Sequence, residues 1–313
     1  MKWGKRIFAG VLAVALTVAL AACGTAEPST SGQGSQTAQK DPIKIATKPM
    51  TEQYILGEML ALVIEDATGY PTEITKGIGG GTSNIHPAME KGDFDLYPEY
   101  TSSGWAVVLK HELKSVSDEE MFQKLKEEYH NKYGMTWIGL YGANNTYAVV
   151  VRGDVAREHD LETVSDLAKV SSGLVFGGNP DYMEREDGFA VLRDTYGLNF
   201  KKVVDLDIGL KYTALVNGDI DVTNGYTTDA QLGHADVAVL ADDKQLQANY
   251  FGSTVVREDT LEEYPGLQEA LEKMDGILTD SEMAQLNYSV EVEKKDEKQV
   301  AHDYLVSKGV IKE

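Results

Sequence analysis

The chain has 313 residues, of which 50 are Asp or Glu and 29 are Lys or Arg, so its formal net charge is −21 at pH 7. A surface this acidic argues against nucleic acid as a partner and against peripheral binding to anionic lipid, because both carry negative charge. The chain has one cysteine, which excludes an internal disulfide framework and a thiolate metal site.

Residues 1–22 have the pattern of a lipoprotein signal peptide. A positively charged start precedes an apolar run from Ile7 to Ala22, which is shorter than the ~20 residues of a comfortable membrane span. The run ends in Leu-Ala-Ala-Cys, the bacterial lipoprotein signal. It predicts that Cys23 is lipidated and anchors the mature protein to the cell membrane on its extracytoplasmic face.

Residues 23–42 follow as a lipidated cysteine and a flexible tether. The segment is rich in Ser, Thr, Gly, Gln and Ala and has almost no large apolar side chains, so it buries too little surface to fold. The folded body is expected to start near Ile43, which leaves about 270 residues, enough for two lobes with their own cores.

From Ile43 onward, short apolar strands alternate with helices. Predicted strands are 43–46, 147–151, 174–177 and 237–240, and predicted helices include 54–64, 118–133, 188–196, 281–286 and 300–308. Thr51 is the expected cap of the first helix. The alternation predicts two doubly wound α/β lobes, in which residues 43–145 and 251–313 form lobe I and residues 146–250 form lobe II.

Two segments of the chain, 88–101 and 214–227, repeat one layout. Each has a helix end closed by glycine, two aspartates around one apolar residue, a short strand, and a Tyr-Thr pair that begins at Tyr100 or Tyr226. Ligands of open α/β sheets bind beyond the carboxyl ends of the strands. The repeat therefore predicts that each lobe offers a tyrosine to a shared cleft, although chance or a common helix–strand turn would give a similar pattern.

The sequence contains no recognisable reaction centre. Its six histidines lack metal-ligand spacing, and it has neither a nucleophile elbow nor a dinucleotide fingerprint. The glycine-rich run 77–84 lacks the ending of a phosphate loop. The pairs Asp93/Asp95 and Asp219/Asp221 precede their strands, which favours hydrogen bonding in a turn over acid–base catalysis. We expect no cofactor and no metal, and a surface-anchored enzyme is a remote alternative.

Tyrosine is the abundant aromatic residue, with 16 Tyr against 7 Phe and 3 Trp. A cage of electron-rich rings holds a quaternary ammonium ion without a hydrogen-bond donor, and each well-placed ring contributes up to ~2 kcal/mol. The alternative for any single tyrosine is core packing with a satisfied hydroxyl, which we expect for tyrosines at helical spacing.

Several motifs in one order resemble the substrate-binding lipoproteins of ABC importers for osmoprotectants, namely glycine betaine, proline betaine, choline and carnitine. They are Thr-Lys-Pro-Met-Thr-Glu-Gln at 47–53, Glu-Tyr-Thr at 99–101, Asn-Asn-Thr-Tyr at 144–147, and Gly-Tyr-Thr-Thr-Asp at 225–229. The resemblance extends from about residue 43 to the end of the chain. It implies a two-lobed, periplasmic-binding-protein-like (type II) fold, a monomer, and an ABC permease with its ATPase as partners.

The resemblance also implies a ligand site between the lobes. Carried over by motif, a tyrosine cage holds the quaternary ammonium ion, an asparagine lies beside the cage, and two basic residues and a hydroxyl bind a carboxylate. These residues are Tyr100, Tyr147, Tyr226 and Tyr250 for the cage, then Asn145, and finally Lys48, Arg185 and Thr101. Arg185 has a second interpretation, as a surface residue between acidic neighbours.

The two basic residues guide the choice of ligand. A simple cation gains nothing from two positive neighbours, whereas a carboxylate forms strong charge-assisted hydrogen bonds with them. We therefore expect glycine betaine or proline betaine, with choline or carnitine as the alternative. Ser102-Ser103-Gly104 and Thr228-Asp229-Ala230-Gln231 depart from the more usual motifs of the family, and both departures are expected at the rim of the cleft.

Overall fold

The computed structural model describes residues 40–114, 116–184, 188–207 and 210–312. The predicted signal peptide, Cys23 and most of the predicted tether lie outside these residues. Lys40 and Asp41, which the sequence places in the tether, contact the folded body: the Lys40 ammonium lies 4.6 Å from the centre of the Tyr264 ring, and the Tyr264 hydroxyl donates to the Asp41 carbonyl at 3.0 Å. The chain from Lys40 onward forms one compact unit.

Ten strands in the described ranges form two sheets. In chain order they are β1 (Ile43–Ala46), β2 (Thr72–Thr75), β3 (Leu96–Tyr100), β4 (Met135–Asn144), β5 (Tyr147–Arg152), β6 (Val175–Gly178), β7 (Lys202–Asp205), β8 (Val222–Tyr226), β9 (Val237–Leu240) and β10 (Phe251–Arg257). The strand orders are β2-β1-β3-β10-β4 and β7-β6-β8-β5-β9. β10 in the first sheet and β5 in the second are the strands that follow a passage of the chain from one sheet to the other. Each runs antiparallel to both of its neighbours. The predicted two-lobed α/β fold is confirmed.

Thirteen α-helices are present among the described residues. In chain order they are α1 (Thr51–Thr68), α2 (Thr82–Lys91), α3 (Thr101–Ser103), α4 (Asp118–Tyr133), α5 (Gly153–Glu158), α6 (Val164–Val170), α7 (Pro180–Glu184), α8 (Phe189–Tyr196), α9 (Lys211–Asn217), α10 (Glu258–Glu263), α11 (Leu267–Glu272), α12 (Asp280–Glu291) and α13 (Glu297–Ser307). A π-helical turn, Gly104–Val108, continues α3. None of the helices in the described ranges is long and apolar enough to span a membrane.

Local sequence explains several helix ends. Thr163 and Thr279 cap α6 and α12 in reciprocal capping boxes, which satisfy two backbone donors at each helix start. The predicted cap of α1 was wrong by one position, because Thr51 is its first helical residue and Met50 is the N-cap, without a side-chain bond.

Each lobe has its own hydrophobic core. In lobe I, α1 is buried around most of its circumference, because the first sheet covers one side and α11, α12 and α13 pack on the other. A second lobe I cluster surrounds Trp137 and Tyr129. The lobe II core is built around Phe176 and Val222. Separate cores of this kind are typical of two-lobed proteins that close around a ligand by hinge motion.

The repeated segments form equivalent turns in the two lobes. α2 and α9 both end at a glycine in the left-handed region, with φ of 78° and 79°. Asp95 then donates its N–H to the Lys44 carbonyl at 2.9 Å and accepts the Lys44 N–H at 2.8 Å. Asp221 exchanges the same two bonds with Val175, both at 2.9 Å. Asp95 and Asp221 therefore align parallel strands from the turn between helix and strand. Their side chains bond to the neighbouring strand rather than within the turn itself.

The chain passes from the first sheet to the second between Asn144 and Tyr147, and it returns between Leu240 and Phe251. The two crossing segments are joined by hydrogen bonds. The Asn145 N–H donates to the Tyr250 carbonyl at 3.1 Å, and the Tyr250 N–H donates to Asn144 Oδ1 at 2.7 Å. This paired crossing brings the carboxyl ends of β3 and β8 to face one another.

Candidate ligand-binding cleft

A cleft of about 600 Å³ opens between the two sheets above the crossing segments. Six of the eight predicted site residues line it: Lys48, Tyr100, Asn145, Tyr147, Tyr226 and Tyr250. The strand ends account for their convergence, because Lys48 follows β1, Tyr100 and Tyr226 end β3 and β8, and Tyr147 begins β5. Arg185, the predicted second basic residue, lies outside the described residues.

Thr101, the eighth predicted residue, is buried behind the cleft wall and is not among the residues that line the cleft. It is 4 % exposed, and its Oγ1 accepts the Phe251 N–H at 3.2 Å. In this position Thr101 ties the end of β3 to the returning crossing segment. Its predicted contact with the ligand carboxylate stays a prediction.

The lobe II wall of the cleft is aromatic. Tyr147 and Tyr226 are paired in register across β5 and β8, and their rings stack with centroids 5.1 Å apart and planes 23° apart. Tyr182 packs against Tyr147 at 5.2 Å. Tyr226 is 37 % exposed, so a ligand has access to it from the cleft. Because the two rings occupy each other's inner faces, a cation approaches the stack from outside rather than entering between them.

Tyr100 on the lobe I wall is used differently. It is 6 % exposed, and the Lys48 ammonium lies 4.8 Å from the centre of its ring. Its hydroxyl donates to Glu52 Oε1. Burial, together with the neighbouring Glu52 carboxylate, raises the pKa of Tyr100 well above its ordinary value. Tyr100 therefore remains a protonated donor that holds Glu52 in place.

Lys48 forms a buried ion pair beneath Tyr100. Its ammonium contacts the Glu99 carboxylate, which is fully buried and also accepts from Thr82 Oγ1 at 2.7 Å and from the Tyr100 N–H at 2.6 Å. An ammonium has three donors, so this pair leaves room for a ligand carboxylate. It also neutralises the Lys48 charge, which weakens the electrostatic case for the predicted carboxylate contact.

Glu52 is a cleft residue that the sequence reasoning missed. Its Oε1 accepts from Tyr100 and from Asn145 Nδ2 at 3.1 Å, and its Oε2 accepts from Asn287 Nδ2 at 3.3 Å. All three donors line the cleft, as Glu52 does. Glu52 belongs to one of the motifs that carried the family resemblance. A glutamate in the first turn of a helix is common because it interacts favourably with the helix dipole, so its position in the sequence did not indicate a role in the cleft.

Asp229 is the second carboxylate that sequence reasoning missed. Its Oδ2 accepts from the Tyr212 hydroxyl at 2.6 Å and from the Tyr226 N–H at 3.1 Å, and the Lys211 ammonium lies 3.5 Å away. Burial lowers the pKa of Lys211, and Asp229 opposes that change. Asp229 fixes the backbone at Tyr226 and is paired with a lysine on its own lobe. Asp229 is part of Thr228-Asp229-Ala230-Gln231, the segment that departs from the usual family motif and was expected at the rim of the cleft.

Helix α12 connects the two walls at the rim of the cleft. Asn287 Nδ2, besides its bond to Glu52, donates to the Thr228 carbonyl of lobe II at 2.9 Å. One position further on, Tyr288 stacks on His234 of lobe II, with ring centroids 3.8 Å apart. The lobes are therefore in contact through α12, next to the cleft carboxylate.

Two sheets joined by a paired crossing, with polar and aromatic groups converging on the cleft between them, define a two-lobed substrate-binding protein. Residues 41–307 match the family described as the substrate binding domain of the ABC-type glycine betaine transport system, OpuAC, and the chain belongs to that family. Proteins of this class bind solutes for transporters and are not enzymes.

Relatives and solved structures agree with the family. The chain is 42 % identical over 272 residues to the ergothioneine transport permease/ergothioneine binding protein EgtU of Helicobacter pylori, covering 87 % of this chain but only 48 % of that protein, about half its length. It is 35 % identical over 269 residues to the carnitine transport binding protein OpuCC of Listeria monocytogenes, covering 85 % and 86 %. A crystal structure of a glycine betaine/carnitine/choline ABC transporter protein superposes with a TM-score of 0.80 at 33 % identity, covering 86 % of this chain and 99 % of that one.

Proposed function

We propose that the protein is the extracytoplasmic substrate-binding component of an ABC importer and that it captures a betaine-type quaternary ammonium solute. One observation carries this proposal: Tyr147, Tyr226 and Tyr250, from lobe II and from the crossing, line a single cleft, and Tyr100 lines its lobe I wall, where its hydroxyl holds Glu52. Tyrosine faces attract a cation that has no hydrogen-bond donor of its own, at up to ~2 kcal/mol for each well-placed ring.

The mechanism follows from the two-lobed frame. The open protein takes up the solute, and rotation about the paired crossing brings the Tyr226 wall toward the Glu52 wall and excludes water. Loss of water strengthens the contacts of the cation with rings and carboxylate. The closed form is then presented to the permease, and the partner ATPase supplies the energy of import.

Glycine betaine and proline betaine are the first candidates for the solute, with choline and carnitine as the alternative. Lys48, with two ammonium donors beyond its bond to Glu99, and Arg185 are the proposed partners of the betaine carboxylate. Choline lacks a carboxylate, so it would leave both basic residues without a ligand partner.

A second candidate is ergothioneine, a larger betaine with a trimethylammonium head, a carboxylate and a thione-bearing imidazole ring. The 42 % identity to the Helicobacter pylori relative favours it. The cleft volume of about 600 Å³ also accommodates a solute larger than glycine betaine. The Asp229 carboxylate, which also lines the cleft, is an acceptor for an imidazole N–H group.

The proposed site in the cell is the extracytoplasmic face of the membrane, where lipidated Cys23 would anchor a monomeric protein. Cys23→Ala tests the anchor: we expect the variant to leave the membrane fraction and to lose incorporation of labelled palmitate. A variant that stays in the membrane fraction would contradict the proposed anchor without affecting the cleft.

Isothermal titration calorimetry tests the binding function. The mature domain, residues 24–313, is titrated with glycine betaine, choline, carnitine and ergothioneine, and each titration is repeated with Tyr226→Ala and with Tyr226→Phe. We expect binding of at least one betaine, strong weakening in the alanine variant, and near-normal affinity in the phenylalanine variant, which keeps the ring. A folded wild-type protein that binds none of the four solutes would refute the proposal.

A further inference from the structure

The charged side chains that line the described part of the cleft are Lys48, Lys114, Glu52, Asp229 and Glu291. Most of them have a partner or are exposed. Lys48 pairs with Glu99, Asp229 lies 3.5 Å from the Lys211 ammonium, and Lys114 donates to the Leu246 carbonyl at 2.6 Å. Glu291 is exposed to solvent. Glu52 differs from all of these.

Glu52 is a buried carboxylate without a counter-charge among the residues that the structure describes. It is 5 % exposed, and the three groups that bond to it, the Tyr100 hydroxyl and the side-chain amides of Asn145 and Asn287, are neutral. Three hydrogen bonds offset part of the free energy of removing a carboxylate from water, but an unpaired buried charge remains unfavourable.

We infer that Glu52 is the counter-charge of the ligand's quaternary ammonium group and sets the preference of the cleft for a cationic head. The inference rests on the proposed function, since it names the residue that neutralises the proposed solute. The carboxylate lies at the cleft wall, because all three of its donors line the cleft as well. A ligand cation entering the cleft would supply the charge that the described part of the protein does not.

The hydrogen bonds of Glu52 suit a quaternary ammonium group. A carboxylate has about four acceptor positions, and three are used by protein donors, so little capacity is left for a ligand N–H. Its negative charge still acts on a cation that has no N–H to donate. Glu52 therefore attracts a ligand cation by its charge but accepts few hydrogen bonds from it. This favours a trimethylammonium head, which has no N–H, over a primary amine, which needs acceptors for its N–H groups.

Asn287 couples this carboxylate to the opposite lobe. Its Nδ2 contacts both Glu52 Oε2 and the Thr228 carbonyl, at 3.3 and 2.9 Å. Thr228 follows Tyr226 closely in the chain, so the bridge from α12 sets the approach of the lobe II ring toward the lobe I carboxylate. Closure then brackets the cation between an anion on lobe I and an aromatic wall on lobe II.

Two ligands of one shape isolate the charge. Glycine betaine and tert-butylacetate share a carboxylate and a three-methyl head, but carbon replaces the charged nitrogen in tert-butylacetate. The mature domain and its Glu52→Gln and Glu52→Asp variants are titrated with glycine betaine, and tert-butylacetate is measured by competition. Glu291→Gln, which removes an exposed carboxylate of the same cleft, is the matched control, and melting temperatures report folding.

We expect the wild-type protein to prefer glycine betaine and Glu52→Gln to reduce that preference roughly tenfold or more, with tert-butylacetate affinity unchanged or improved. Glu52→Asp and Glu291→Gln should keep the preference. Equal weakening of both ligands, or unchanged glycine betaine affinity in a folded Glu52→Gln protein, would overturn the inference while the proposed function stands. A wild-type protein that binds no quaternary ammonium solute would refute the proposed function, and this inference with it.

Discussion

Replacing Lys48 by Met separates the structural role of this lysine from its proposed role in ligand binding. Met keeps most of the side-chain length and apolar stem but removes the ammonium that pairs with Glu99. The Glu99 carboxylate is fully buried and would keep two neutral donors, Thr82 Oγ1 at 2.7 Å and the Tyr100 N–H at 2.6 Å. We expect a marked loss of stability, because a buried charge would be left without its partner.

Breaking a buried ion pair from one side typically destabilises a protein by about 3–5 kcal/mol. The lower end applies to Lys48→Met, because Lys48 borders the cleft, from which water reaches the remaining carboxylate. A loss of about 3 kcal/mol corresponds to a fall of roughly 6–12 °C in melting temperature for a protein of this size. The double variant Lys48→Met/Glu99→Gln, which has no buried charge at this place, should recover most of that loss.

Urea unfolding of the mature domain measures these changes, with glycine betaine titration as the second assay. A Lys48→Met protein within about 0.5 kcal/mol of wild type, or a double variant less stable than the single one, would refute the assignment of Lys48 to a stabilising buried pair. If the double variant is folded, its betaine affinity tests the ligand contact: unchanged affinity would remove Lys48 from the carboxylate site.

Three further predictions follow from the site and the core of lobe I. Tyr226→Ala should weaken betaine binding about tenfold or more in calorimetry, because one accessible ring contributes up to ~2 kcal/mol, while its stability should change little since the ring is 37 % exposed. Burial lowers the pKa of His86 to about 4, and the unfolded value is about 6.5. The unfolded state therefore takes up the proton first, and urea unfolding should show stability falling as pH drops from about 6.5 to about 4, less steeply in His86→Phe. Gly104→Ala should destabilise by about 1–3 kcal/mol, because a Cβ there would overlap the Trp137 ring, whereas Gly79→Ala, with open space around the added Cβ, should leave the urea midpoint nearly unchanged.

The sequence predicts the helix–strand units that carry the cleft tyrosines, because short local patterns determine them. A glycine that closes a helix, an aspartate that aligns two parallel strands, and a tyrosine at the strand end are all neighbours in the chain, and Asp95 and Asp221 make equivalent bonds in the two lobes. The environment of Glu52 is not local. Its amide partners lie 93 and 235 residues further along the chain, so no spacing in the sequence indicates that they meet. The same holds for Lys48 and Glu99, whose pairing changes what the lysine can offer to a ligand.

The repeated segments 88–101 and 214–227 place a tyrosine at the end of a strand in each lobe, but the two tyrosines have different roles. The reason is that their partners on the neighbouring strand differ. Tyr226 lies opposite Tyr147 in the β5–β8 pairing, and the two rings stack and present an accessible aromatic surface. Tyr100 lies opposite Gly252 in the β3–β10 pairing, so it has no cross-strand ring to stack on, and it lies buried between Lys48 and Glu52. Lobe II therefore contributes aromatic faces, and lobe I contributes a positioned negative charge. Neither wall alone encloses a cation, and the ligand gains both kinds of contact only when the lobes approach, which links the affinity for a quaternary ammonium solute to closure of the protein.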